Sequence, residues 1–236
     1  MEKKEKKAAV EKKKTAESKS SGITPKDVTV CKATEQMLDK AKRDGVETAF
    51  DRAANMKACP IGADSACCKH CSMGPCRLNA KDPYAKVGVC GATIDTIQAR
   101  NFARMVASGA AAHTDHGMGM LDVFREVVHG KIKDYKIKDT VKLEQVAQSV
   151  GIATQDRSVE DIAKDLYEEL ERTYTQVEGE VPFVSRVPEK TLETWRKLGI
   201  VPRGAMREIM EIMHRTHIGV DQDYRNLIKQ GSRAAI

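Results

Sequence analysis

The sequence predicts an all-α fold, a multi-helix domain interrupted by one cysteine-rich loop, on three observations. Aromatic residues make up 4% of the chain and charged residues 31%, which suits helices with aliphatic stripes better than an aromatic-rich sandwich. Apolar residues recur at helical spacing in segment after segment, while strand signals are nearly absent. Helix breakers and cysteines crowd into a single stretch, residues 58–91.

The 236 residues suffice for one sizeable core or two small ones. Residues 1–20 hold eight Lys and four Glu, which is +4 of the net +6 and leaves +2 for the rest. The basic character is therefore a tail, and residues 1–30 are expected to be disordered and solvated. No basic stripe interleaved with aromatics follows it, so no nucleic-acid partner is expected. No apolar run reaches the roughly 18 residues that a membrane span needs, and the lysine-rich start lacks a signal peptide's apolar region. The expectation is a cytoplasmic protein with its helical domain at 31–236.

Along that domain, Thr34 can cap a first helix carrying Leu38 and Ala41, with Gly45 ending it. A second helical segment carries Val46, Ala49, Phe50, Ala53 and Met56 toward the cysteines. Six of the seven Cys, three Pro and four Gly then fall within residues 58–91, so this stretch is read as loop. Helix returns at Thr93 and runs through the small residues 107–112, which would let another backbone or helix approach closely, or simply supply a good helix former. Leu143, Val146, Ala147 and Val150 form the next stripe, stopped by Gly151. Ser158 and Asp161 resemble a capping box ahead of Ile162, Leu166 and Leu170. Pro188 opens a helix through Leu192, Trp195 and Leu198 that Gly199 ends. Met206, Ile209, Met210 and Met213 mark the last helix, with the methionines read as core packing. Val181-Pro182-Phe183-Val184 is the best strand candidate, weakened by its proline.

The chemistry lies in the cysteines. Seven in a cytoplasmic chain do not suggest disulfides. Six follow the spacing Cys59-x7-Cys67-Cys68-x2-Cys71-x4-Cys76-x13-Cys90, and soft thiolates at this density select zinc, copper(I) or iron–sulfur clusters. Cys68, Cys71, Cys76 and Cys90 make a four-thiolate set of the kind that holds a cubane. Cys59 and Cys67 are left over, and adjacent residues such as Cys67 and Cys68 project in different directions. Two thiolates are half a cubane's requirement, and a two-fold axis would supply the other half from a second copy. A zinc site would also staple such a loop, but zinc ribbons pair two Cys-x2-Cys knuckles and only one exists here. A zinc-stabilised interaction domain therefore stays as the alternative. His70 inside the loop is read as a bystander or hydrogen-bond donor, and Cys31 as an isolated cysteine.

The run Cys67-Cys68-Lys69-His70-Cys71-Ser72-Met73-Gly74-Pro75-Cys76-Arg77 resembles anaerobic nickel–iron carbon monoxide dehydrogenases. So do Gly88-Val89-Cys90-Gly91-Ala92, then Gly109-Ala110-Ala111-Ala112-His113-Thr114-Asp115-His116, and His217-Ile218-Gly219-Val220-Asp221. The resemblance covers nearly everything from about Thr34 onward and points to the family's N-terminal helical domain. It implies that Cys68, Cys71, Cys76 and Cys90 hold a [4Fe–4S] cluster within the subunit. It implies that Cys59 and Cys67, with their mates in a homodimer, hold a bridging cluster, either [4Fe–4S] or [2Fe–2S]. It implies that His113 and His116 begin a proton relay, although Gly119 and Asp122 stand at the next three-residue steps. The implied reaction is oxidation of CO with water to CO2, two protons and two electrons at a nickel–iron–sulfur centre. The electrons would pass to a ferredoxin-like acceptor, with acetyl-CoA synthase or a separate catalytic chain as further partners. The family's nickel ligands lie in later domains, and only Cys31 stands outside the relay motif. The chain alone is therefore expected to be inactive in CO oxidation. A free-standing electron-transfer module is the other reading.

Overall fold

The computed structural model describes residues 24–236, so the expected tail lies outside the described residues as far as residue 23. The chain divides into two units, Met1–Cys59 and Pro60–Ile236, whereas the sequence reading drew its boundary at residue 31.

In the first unit, the described residues form α1 (Pro25–Val28), α2 (Lys32–Arg43) and α3 (Ala49–Asn55). The single turn of α1 lies inside the span expected to be tail. It is held by a box in which Thr24 and Asp27 exchange hydrogen bonds. Helix α2 starts two residues before the expected cap, with Cys31 at the N-cap and Thr34 inside the first turn. Thr48 caps α3 with a second such box through Asp51, which leaves Val46 outside the helix. None of the three helices has a buried residue.

The second unit begins with α4 (Pro60–Ala63) and two two-residue strands, β1 (Cys67–Cys68) and β2 (Cys76–Arg77), before α5 (Ile94–Val128). The strands pair antiparallel, with Cys68 opposite Cys76 and Cys67 opposite Arg77. No other strand occurs among the described residues. Helix α5 begins where Thr93 accepts the N–H of Thr96, and its 35 residues span about 52 Å at 1.5 Å each. It is the spine of the unit. Helices α6 (Thr140–Ser149) and α7 (Val159–Thr175) close a core of Leu143, Ala147, Ile162, Ala163 and Leu166 against Phe124 and Val128 of α5. Ser158 caps α7 through Asp161, as expected. Helix α8 (Glu189–Leu198) ends at Gly199 with φ +65°, as its glycine foretold. Helices α9 (Ala205–Arg215) and α10 (Tyr224–Ala235) pack along the first half of α5.

Three expectations fail here. Residues Pro182–Arg186 form a 3-10 helix and not a strand, because Pro182 has no N–H for a ladder and pre-sets the helical φ. Met206, Met210 and Met213 are exposed; α9 buries Glu208 and Ile212 instead. Met206 does not mark the last helix, since α10 follows with Leu227, Gln230 and Gly231 buried. The close approach expected over residues 107–112 is met at Ala107, buried with Ile212 of α9 and Ala234 of α10, and other close contacts of α5 lie outside that run. Gly109 has open space beside it, while the Tyr174 hydroxyl abuts Gly117 and the Phe102 ring packs on Gly231.

Gly204, the N-cap of α9, sits directly under the carbonyl oxygen of Gln176, where a β-carbon would collide with backbone. Backbone cannot swing away as a side-chain tip can. Gly204→Ala is therefore expected to destabilise the chain by roughly 1–3 kcal/mol, the usual cost of overpacking, read as a lower urea midpoint at constant slope.

Candidate metal centre

The cysteine loop is anchored at the N-terminal end of α5. Ala66, Cys68, Leu78, Ala92, Ile94 and Ile97 form a small buried core beneath it. Leu78 extends the strand pair by donating its N–H to the Ala66 carbonyl at 2.9 Å. The turn at 88–92 closes through the N–H of Gly88 on Ala92 O at 2.8 Å. Gly91 takes φ +85° there, a backbone angle that favours glycine. That turn returns Cys90 to the other thiols.

Cys68, Cys71, Cys76 and Cys90 all line one cavity, together with His70, Ile97, Arg100 and Thr216. Cys67 does not line it, which agrees with neighbours on a strand pointing to opposite faces. Cys59 belongs to the first unit and is exposed. Among the described residues no three His, Cys, Asp or Glu side chains are placed to hold a single metal ion. The four thiols stand around a space instead.

Polar donors reach that space from the protein. The N–H of Val89 points to Cys76 Sγ at 3.4 Å, and Arg100 Nη1 to Cys90 Sγ at 3.4 Å. Burial pushes the Cys90 thiol up, but Arg100, the Ala92 backbone and Gln222 outweigh it and hold the thiol at about 7. Hydrogen bonds to the charged form act in this way. Arg104, one turn along α5, donates Nε to Thr216 Oγ1 at 2.6 Å. Burial draws its guanidinium down, and Cys68 partly restores it. Neither arginine has a carboxylate within salt-bridge distance among the described residues. A buried cation, Arg100, facing four thiols, with the half-buried Arg104 one turn away, fits an anionic, thiolate-bound group.

His70 Nε2 lies 2.8 Å from Asn101 Oδ1, and an oxygen acceptor there makes the imidazole the donor. Asn101 in turn donates to Ser65 and to the Cys67 carbonyl. His70 thus braces the loop from outside the thiol set, and burial foremost holds its pKa below the usual value.

Sequence reasoning missed Arg100, Arg104 and Gln222. Gln222 donates Nε2 to the Cys90 carbonyl at 2.8 Å, and its own carbonyl accepts from Thr96 at 2.6 Å. The one available signal was the spacing of Arg100 and Arg104, four apart on the face of α5 that carries Ile97.

His113 and His116 are exposed on α5. His113 is 13 residues past Arg100, about 20 Å along the helix axis. It lines a second cavity with Val106, Thr173, Phe183 and Arg233, and His116 does not. Their placement is thus apart from the cysteines. No described helix is long and apolar enough to cross a membrane.

The comparisons with known proteins agree with one another. A family model described as Prismane/CO dehydrogenase matches residues 66–236. The chain is 42% identical over 205 residues to carbon monoxide dehydrogenase 1 of Methanosarcina mazei, covering 86% of this chain and 33% of that protein. It is 37% identical over 215 residues to the carbon monoxide dehydrogenase/acetyl-CoA synthase subunit beta of Moorella thermoacetica, covering 89% and 32%. Its fold is similar to a nickel-free carbon monoxide dehydrogenase from Thermococcus sp. AM4, with a TM-score of 0.78 at 38% identity over 90% of this chain and 34% of that one. The chain thus spans about a third of the length of these relatives.

Proposed function

The chain belongs to the Prismane/CO dehydrogenase family, and on that premise we propose that it is the electron-relay and dimerisation domain of a carbon monoxide dehydrogenase. Cys68, Cys71, Cys76 and Cys90 hold a [4Fe–4S] cluster in this reading. The observation that carries it is the cavity onto which those four thiols open, lined also by the buried guanidinium of Arg100, which has no carboxylate partner. A cubane takes one thiolate per iron and is a net anion with four of them, so both the ligand count and the charge suit it. When bound, the cluster accepts and releases one electron at a time.

Cys59 and Cys67 form half of a second cluster, [4Fe–4S] or [2Fe–2S], completed by a second copy of the chain. Support comes from Cys67 lying off the cavity that Cys68 lines. The whole enzyme would oxidise CO with water at a nickel–iron–sulfur centre, held by residues beyond the third of the family's length seen here. A ferredoxin-like acceptor would take the electrons. Acetyl-CoA synthase is proposed as a partner because one relative is named as a subunit with it. We place the protein in the cytoplasm, where thiols stay reduced. His113 and His116 are proposed as proton carriers, and the cavity that His113 lines is the feature that supports it.

Anaerobic purification with iron, sulfide and zinc analysis tests this reading. The expected content is roughly 12 irons per dimer if all three centres are cubanes. The Cys59→Ser/Cys67→Ser double variant should hold roughly 8, by loss of one cubane, and its dimer should dissociate at higher protein concentration. Zinc without acid-labile sulfide in the wild type would overturn the relay. Full iron in the double variant would overturn the half-site.

A further inference from the structure

We propose that Arg100 is a positioning residue of the cysteine cavity, whose guanidinium raises the reduction potential of the cluster that Cys90 ligates. The inference rests on the iron–sulfur reading above and adds to it a residue that the cysteine spacing does not indicate.

Arg100 is the largest of the fully buried side chains described, with 1% of its surface exposed. Its Nη2 donates to the Asp221 carbonyl at 2.6 Å and its Nη1 meets Cys90 Sγ at 3.4 Å. Its Nε is buried with no partner. The nearby carboxylate does not neutralise it, because Asp221 is engaged by Arg215 Nη1 at 2.6 Å and by the N–H of Asp223 at 3.0 Å. A buried charge is tolerated when an opposite charge compensates it. The group within reach that can carry one is the thiolate of Cys90 and whatever that thiolate binds. Arg104, half-buried one helical turn away, also has no carboxylate partner and donates to a hydroxyl. Two such cations on one helix face repel each other unless an anion lies near both.

A cluster on four thiolates supplies that anion, and reduction adds one more negative charge to it. A fixed cation then favours the reduced form over the oxidised one, as does a hydrogen bond to a ligating sulfur. Arg100 offers both through one side chain. Its position is held by the segment between α9 and α10. There Asp221 takes the guanidinium, Gln222 holds the Cys90 carbonyl at 2.8 Å, and Thr96 holds Gln222 at 2.6 Å. The cation cannot drift away from the sulfur without breaking this brace. Exposed lysines give no such fixed effect, since solvent screens them.

The test is an EPR-monitored redox titration of the 236-residue chain, reconstituted anaerobically with iron and sulfide. Arg100→Gln keeps a donor and removes the charge; Arg100→Lys keeps the charge and removes the fork. At a fixed ambient potential, the ratio of reduced to oxidised cluster is expected to fall about tenfold in Arg100→Gln, or about 59 mV for one electron. The Lys variant should recover most of that fall at unchanged iron content. Arg100→Gln with full iron and a ratio within twofold of wild type would overturn the proposal, as would a Lys variant that falls as far as Gln. If Arg100→Gln assembles no cluster, the Lys variant decides. A loaded Lys variant with a near wild-type ratio supports the proposal, and an empty one overturns it, since Arg100 would then serve assembly alone. Iron and sulfide in the wild type report on the relay reading separately, and a wild type without them ends both.

Discussion

The Cys76→Ser variant is expected to lose about four irons per chain, one cubane's worth, while its metal-free form melts together with the metal-free wild type. Cys76 stands opposite Cys68 in the strand pair and receives the Val89 N–H on its sulfur. Serine nearly matches the thiol in shape, so little packing is lost when no cluster is present. The loss appears on loading. A group that binds the folded chain and not the unfolded one adds its binding free energy to stability, and the loop at 58–91 has only a small core of its own. Loaded wild type should therefore melt well above its apo form, and the variant should show no such gain. Iron assay together with calorimetry of all four samples checks this. A variant that keeps its full iron removes Cys76 from the ligand set. Equal melting of loaded and apo wild type shows that the cluster is no staple.

Glu208→Ala should cost about 3–5 kcal/mol, the range for removing one partner of a buried ion pair. Glu208 is 1% exposed at the start of α9. Its carboxylate accepts Arg203 N, Nε and Nη2 at 2.8, 2.9 and 2.8 Å and Gln230 Nε2 at 2.7 Å. Arg233 stands 3.9 Å away. The pair with Glu208, foremost, holds the Arg203 guanidinium above its ordinary range, against the effect of burial. Alanine would take the shared carboxylate away and leave Arg203 with Glu211, Gln230 with the backbone carbonyl at 208, and Arg233 with Gln230 and the Gly199 carbonyl. Because Gln230 lies on α10, the loss should loosen the α9–α10 pairing as well. Urea unfolding measures the total, and amide exchange along α10 reports the local part. A change below about 1 kcal/mol, the value of an exposed pair, would mean that water replaces the carboxylate in this network.

Local chemistry was legible residue by residue. Thr93, Ser158 and Gly199 end or begin helices through bonds that reach three or four positions along the chain, so spacing alone reveals them. The thiol set was legible for the same reason. Four thiols from one loop and its closing turn leave their count and order in the sequence, and the structure brings Cys68, Cys71, Cys76 and Cys90 to one cavity. Helix α10 was not legible, because its buried face carries Gln230 and Gly231 among Lys229, Ser232 and Arg233. A polar run of that kind reads as surface until its partner is known: Gly231 admits the Phe102 ring, and Gln230 serves Glu208.

What the sequence by itself determined, then, is the helical class, the helix ends marked by a cap or a glycine at Thr93, Ser158 and Gly199, and which thiols cluster. Each is a matter of residues within a few turns of one another. Only the tertiary structure decided which charges are buried and what surrounds the thiols. Arg100 meets Asp221 across 121 positions and Cys90 meets Gln222 across 132. An arginine is written identically in a sequence whether water or a sulfur faces it. The difference lies in desolvation, which depends on what packs over the side chain and not on what stands beside it in the chain.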